Sequence, residues 1–270
     1  MYNTIFIIII AIILFNFVLE RILGILNSSL LDSKLPEEVQ DVYEPEQYRK
    51  SQDYKKVNDR FSILTSSFSL VVILIMLIWG GFAIADNMAR EVTGHPVLIA
   101  LLFFGMLMLA SDIINTPFSV YDTFVIEERF GFNKTSVRTF ITDKLKGWLL
   151  GALIGGGLLA LVIVFYLETR NLFWIYAWMA MSAFMIFMNM FYSTLIVPLF
   201  NKQTPLEEGE LRNAIQRFCQ KAGFKLQNVY VIDSSKRSTK SNAYFSGLGT
   251  KKRIVLFDTL IQDLSVNEIV

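Results

Sequence analysis

Up to about residue 200 the chain alternates between long apolar runs and shorter polar segments; beyond it, apolar positions thin out and become periodic. Five stretches have the length and apolar character to cross a hydrocarbon core, which takes about 20 helical residues. They cover residues 3–19, 62–85, 97–114, 148–167 and 172–197. The first has no basic leader and no small-residue cleavage site, so it reads as a retained anchor rather than a removed signal. From residue 201 the pattern becomes that of an α+β segment. Leu211, Ile215, Phe218 and Cys219 recur at the spacing of one helical face, predicting a helix over 207–222 closed by Gly223. Strands are predicted at 229–232, 242–246 and 253–257, the last two joined by the turn residues Gly247, Leu248, Gly249 and Thr250. Asp258 should cap a short helical turn reaching Asp263. Ser265 and Glu268 have the spacing of a capping box, so a helix is expected to start at Val266 and to continue beyond Val270. The expected division is a transmembrane part over 1–200 and a separate segment over 201–270.

Composition strengthens the membrane reading. Of the 270 residues, 53% are apolar and 18% charged, against about 25% charged in a typical soluble domain. Mean hydropathy is +0.46. A net charge of +1 offers no global field for nucleic acid. One Cys leaves no internal disulfide, and one His leaves no multi-histidine metal site within these residues. Basic residues alternate between loops. The first loop carries Arg21, Lys34, Arg49, Lys50, Lys55, Lys56 and Arg60, and the next only Arg90. The third carries Arg129, Lys134, Arg138, Lys144 and Lys146, the fourth only Arg170, and the tail is basic again. The positive-inside rule then places the first and third loops and the tail in the cytoplasm and the N-terminus outside. Bacterial inner membrane and endoplasmic reticulum fit this equally.

Several segments, in order, carry a family likeness. Residues 121–135 (YDTFVIEERFGFNKT), then 140–146; 196–206 (IVPLFNKQTPL); 241–247 (SNAYFSG); and 252–270 together resemble the CAAX prenyl protease family of integral-membrane zinc endopeptidases. The family usually has Phe where this chain has Gln203. The resemblance implies a mostly α, multi-pass membrane helical bundle of five spans, followed by the beginning of an α+β zincin-like metalloprotease domain. It also implies that the helix begun at Val266 runs on into H-E-x-x-H, whose two His share a helical face and one Zn²⁺. None of those ligands lies in this sequence, so the chain by itself is expected not to assemble that zinc site or to hydrolyse peptide. Asn242, Ala243, Tyr244 and Phe245 are implied to form an edge strand that takes an extended peptide. The implied partners are a peptide or protein substrate, with a lipidated C-terminal tail as one form of it, and membrane lipid.

Other residues invite both functional and bland readings. His95 precedes Pro96 without a ligand partner in sequence and is expected to be structural or solvent-facing. Cys219 falls on an apolar helix face and is expected to be a packing thiol. Asp112 and Asn115 lie late in the third stretch, where polar groups are functional candidates by default, or else at its interface. Gly151, Gly155, Gly156 and Gly157 suggest close helix packing. Glu127, Glu128 and Arg129 suggest a salt-bridged docking loop, and Lys236–Lys240 a solvated turn. Two functional classes remain at this point. One is a membrane zinc endopeptidase represented by its metal-free part; the other is a non-catalytic scaffold that binds extended peptide. A transporter is the weaker third, since no internal repeat supports it.

Overall fold

The computed structural model describes residues 3–29, 31, 35, 44–224, 226, 228–248 and 252–270. The apolar runs are helical, as a backbone that must satisfy its own polar groups requires. Among the described residues, four helical runs are long and apolar enough to cross a membrane: Thr4–Ser29, Pro45–Ile78, Pro96–Glu127 and Val137–Phe200. Lys34 and the turn positions Gly249 and Thr250 lie outside the described residues.

The chain divides into two compact units. The first, residues 1–94 and 102–130, contains helices α1 (Thr4–Ser29), α2 (Pro45–Ile78), α3 (Gly81–Val92) and most of α4 (Pro96–Tyr121). Asn3 caps α1 by accepting from the Phe6 N–H at 2.9 Å, and Pro45 starts α2 where a missing N–H costs nothing. The Ser28 hydroxyl donates to Asp59 at 2.6 Å, tying α1 to α2. Aromatic contacts hold α2 to α4: Phe61 lies 5.3 Å from Tyr121 and Phe68 4.9 Å from Phe118, centroid to centroid.

The expected span at 62–85 is not one helix. It breaks after Ile78, where Gly80 turns into the left-handed region at φ 71, a conformation that costs a residue without Cβ little. Residues 81–85 open α3 instead, whose polar side carries the Asp86–Arg90 pair at 2.7 Å. The third stretch continues past its expected end through Pro117 to Tyr121 and into a π-helical turn, Asp122–Glu127.

The second unit comprises residues 95–101 and 131–270. Ser136 caps α5 (Val137–Leu150), accepting from the Thr139 N–H at 3.1 Å. A π-helical turn, Gly151–Gly155, leads into α6 (Gly156–Thr169). Arg170, at φ 43, is the one non-glycine residue with positive φ among those described, and a single 3₁₀ turn follows it. There the chain reverses, because α7 (Phe173–Leu195) returns along α6 with Tyr166 facing Phe173 at 5.4 Å and Phe165 facing Tyr176 at 5.8 Å. Gly155, Gly156 and Gly157 do not serve the close packing expected of them. A Cβ added at Gly155 or Gly157 would meet nothing within 4 Å, and at Gly156 only Leu101, at an ordinary 3.7 Å. Gly151 and Gly155 are instead taken up by the π turn.

After the short helix α8 (Val197–Phe200) the chain builds a four-stranded sheet. Its strands are β1 (Gln203–Pro205), β2 (Asn228–Ile232), β3 (Ala243–Ser246) and β4 (Arg253–Phe257), in the order β1-β2-β4-β3. β2 and β4 run parallel, and both edge strands are antiparallel to their neighbours. β1 was not expected from the pattern: it has three residues and ends in Pro205, which only an edge tolerates. Helix α9 (Glu210–Lys221) starts three residues later than predicted. Gly209 is extended, and Glu208 pairs with Arg212 at 3.3 Å rather than entering the helix. Gly223, at φ 68, closes it as expected. Ile215 and Cys219 of α9 pack on Val229, Ile254 and Leu256, and this is the sheet's core. Two short helices, α10 (Asp258–Asp263) and α11 (Val266–Ile269), complete the unit. In the expected capping box of α11, Glu268 accepts from the Ser265 N–H at 2.8 Å.

Candidate functional site

β3 has β4 on one side only, so the strand carrying Ala243, Tyr244 and Phe245 is a sheet edge, with Asn242 just before it. The Phe257 N–H donates to the Asn242 carbonyl at 3.0 Å. Opposed residues of an antiparallel pair alternate between bonded and non-bonded. In the observed register, Tyr244 opposite Val255 and Ser246 opposite Arg253 are therefore the bonded pairs. The backbones of Ala243 and Phe245 turn to the open side. Asn242 already occupies the first donor there, since its Oδ1 accepts from the Ala243 N–H at 2.8 Å. Phe245 thus presents the open N–H and C=O of this edge, and its side chain is 71% exposed.

Strand alternation sends Ala243 and Phe245 to one face of the sheet and Tyr244 and Ser246 to the other. On the first face Phe245 meets Phe224 at 5.4 Å. On the second, Tyr244 lies against Phe257 at 6.5 Å, edge to face. Beside β3 runs a groove of about 540 Å³ whose other wall is α7, through Phe184, Met185, Met188, Asn189 and Tyr192. One wall is thus a largely apolar helix face that also carries Asn189 and Tyr192, and the other is strand β3.

The supports of this edge were mostly invisible in the sequence. Gln203, in β1, donates its amide to the hydroxyls of Ser193 (3.2 Å) and Tyr244 (3.3 Å). Ser193, in α7, is 1% exposed. Segment 236–240 is not a solvated turn. Arg237 grips Asp143 of α5 with two hydrogen bonds of 2.8 and 2.9 Å and donates to the Phe200 carbonyl at 2.8 Å. The segment is also laced to the loop before α5: Lys134 N–H to Arg237 C=O at 3.0 Å, and Thr239 N–H to Phe132 C=O at 3.1 Å. Asp258 anchors the turn at Ser234–Lys236, accepting from the Ser234 hydroxyl at 2.6 Å and the Ser235 and Thr259 N–H groups at 2.9 Å. Burial alone would raise its pKa; these hydrogen bonds outweigh that and hold the carboxyl below its usual range. Its oxygens therefore serve the turn as well as the helix start for which the sequence marked it.

The remaining candidates sit apart from this edge in the sequence. Cys219 is in the core, 5% exposed, and burial pushes its thiol pKa up, as befits a packing thiol. His95 is exposed ahead of α4. Asp112 and Asn115 are half-buried on α4, where Asn115 donates to the Ser111 carbonyl at 2.8 Å. Glu127 accepts from the Tyr54 hydroxyl, which joins α2 to the π turn. Among the described residues, no three His, Cys, Asp or Glu side chains converge to hold a metal ion. The donor set of the described residues therefore does not fit a zinc centre.

A family model described as CAAX prenyl protease N-terminal, five membrane helices, matches residues 26–202, and one described as peptidase family M48 matches residues 205–270. The chain belongs to the CAAX prenyl protease family. CAAX prenyl protease 1 of Saccharomyces cerevisiae is 38% identical over 251 residues, covering 89% of this chain and 55% of that protein. The probable CAAX prenyl protease 1 of Schizosaccharomyces pombe is 34% identical over 254 residues, covering 89% and 54%. The crystal structure of S. mikatae Ste24p superposes with a TM-score of 0.93 at 36% identity, covering 99% of this chain and 64% of that one. The chain spans about half the length of the curated CAAX prenyl proteases it matches. The family and the four apolar runs together make this an integral membrane protein.

Proposed function

We propose that this chain is the membrane-embedded, peptide-docking part of a zinc-dependent endopeptidase, and that β3 takes its substrate as an added strand. The observation that carries the reading is the open edge of β3. The N–H and C=O of Phe245 face outward beside a groove walled by Phe184, Met185 and Met188, an arrangement suited to an extended peptide with an apolar appendage. Asn242, Ala243, Tyr244 and Phe245 are the docking residues, and the relatives' name points to a prenylated C-terminal tail as the substrate. In this reading residues 1–200 form a five-span membrane domain, α6 and α7 being separate spans within Val137–Phe200, and 201–270 begin the protease domain. The N-terminus faces outward and the protease domain the cytoplasm. The zinc would be held by ligands other than the residues described here, so this chain alone docks peptide without hydrolysing it.

Photo-crosslinking tests the proposal. The chain, in detergent micelles, is irradiated with a peptide probe that carries an S-farnesyl cysteine and a benzophenone. Adducts on residues 243–246 and on α7, with the probe left uncleaved, are expected. Adducts confined to other parts of the chain would refute docking at β3. Zinc-dependent cleavage by the chain alone would refute the split between docking and hydrolysis.

A further inference from the structure

We infer that Gln203 and Ser193 are positioning residues that aim the Tyr244 hydroxyl proton into the groove between α7 and β3, making Tyr244 a side-chain donor for a carbonyl of the docked peptide. This rests on the docking role of β3 proposed above and goes beyond it, since that role uses backbone groups alone.

A phenol can accept at its oxygen and donate its one proton. The Gln203 amide nitrogen donates to the Tyr244 oxygen at 3.3 Å, so the accepting side of the phenol is in use. A phenol cannot return its proton to an N–H, so the proton must point elsewhere. Tyr244 itself lines the groove, together with Asn189 and Tyr192 of α7. The second hydrogen bond of that amide nitrogen runs to Ser193, a hydroxyl 1% exposed within α7, at 3.2 Å. Gln203 and Tyr244 also belong to opposite edge strands of the sheet, β1 and β3. The side-chain bridge thus crosses the sheet face and fixes the ring of Tyr244 where the groove meets the open edge. The backbone of Phe245 then supplies strand pairing, while Tyr244 adds one directed donor that reads where a peptide carbonyl falls.

Reversing the polarity of the bridge separates this inference from mere bracing. In Gln203→Glu the carboxylate accepts from Ser193 and Tyr244 alike, so the bridge persists while the phenol proton turns away from the groove. Binding of a fluorescein-labelled S-farnesyl peptide to the solubilised chain is measured by fluorescence anisotropy for wild type, Gln203→Glu, Tyr244→Phe and the double variant, alongside their thermal melting. Tyr244→Phe is expected to weaken binding about three- to tenfold, the worth of one hydrogen bond. Gln203→Glu should weaken it to a similar extent with melting unchanged, and the double variant no further than Tyr244→Phe alone. Wild-type affinity in either single variant that still melts as wild type would overturn the inference and leave docking at β3 standing. Additive losses in the double variant would likewise overturn it, assigning Gln203 a separate structural role. No binding by the wild-type chain would overturn the docking reading and this inference together.

Discussion

Helix α1 and the sheet of residues 203–257 are both rich in β-branched and aromatic side chains, yet they place them oppositely. In α1 no residue is buried, and Ile5 and Phe15 are 66% and 65% exposed. In the sheet, Val229 is 1% exposed beneath α9, and Val255, on the opposite face, is 0% exposed. In water the first arrangement would be untenable, since a monomer rarely leaves so long an apolar surface uncovered. In lipid it needs no cover, because hydrocarbon replaces the protein core as solvent for those side chains. The second arrangement buries apolar side chains against one another, as a fold stabilised by removing apolar area from water does. The two regions thus place the same side chains by different rules, and the same substitution should have different consequences in each.

The largest contrast is expected from truncating an apolar side chain. Leu256→Ala, in the sheet core, should destabilise the domain by about 2–5 kcal/mol, whereas Phe15→Ala should leave its unfolding midpoint unchanged. Urea titration followed by the fluorescence of a reporter placed in 201–270 would measure both. Equal losses would mean that α1 shares the core of the sheet. A smaller effect comes from Arg237→Ala, which removes the paired hydrogen bonds to Asp143 and the one to the Phe200 carbonyl. These side chains are about a quarter exposed, and roughly 1.5–3 kcal/mol is expected, the range for hydrogen bonds to charged groups. Arg237→Lys should recover only part of it, because an ammonium cannot make the two-pronged contact. Limited proteolysis within 234–240 would report the loosened segment.

The smallest effect tests Asp258. Its carboxyl is held below the usual range, so its contribution is present in full above the unfolded-state value of about 3.9 and disappears as pH falls through the lower folded value. The stability gap between wild type and Asp258→Asn should accordingly be constant at neutral pH and close only in acid. A gap that closes between pH 6 and 8 would point to a different titrating group.

Much of this architecture was legible in the chain because its signals are local. Apolar runs marked the helices, the spacing of Leu211, Ile215 and Cys219 marked the helix over the sheet, and β-branched clusters marked β2 and β4. The break at Gly80 was missed, because residues 79–85 stay apolar on both sides of a turn that depends on a single left-handed glycine. β1 escaped notice since three residues ending in proline have no periodicity to detect. The candidate edge at 242–245 came from family likeness, and its neighbours did not follow from it. Gln203 meets Ser193 and Tyr244 only once two edge strands and helix α7 are placed, and Arg237 meets Asp143 across 94 positions. Polar partners so far apart in sequence leave no pattern in it.

The central claim is that peptide adds to the open side of β3, and one substitution tests it most directly. Phe245→Pro removes the outward N–H of the strand without removing a bond to β4, since residue 245 is not in a bonded pair. Anisotropy titration of the S-farnesyl peptide against this variant and Phe245→Ala, with melting as the control for folding, decides the matter. Strand addition predicts that the proline variant loses binding by about tenfold or more relative to the alanine variant, with similar melting. Equal affinity of the two would show that the peptide does not use this edge.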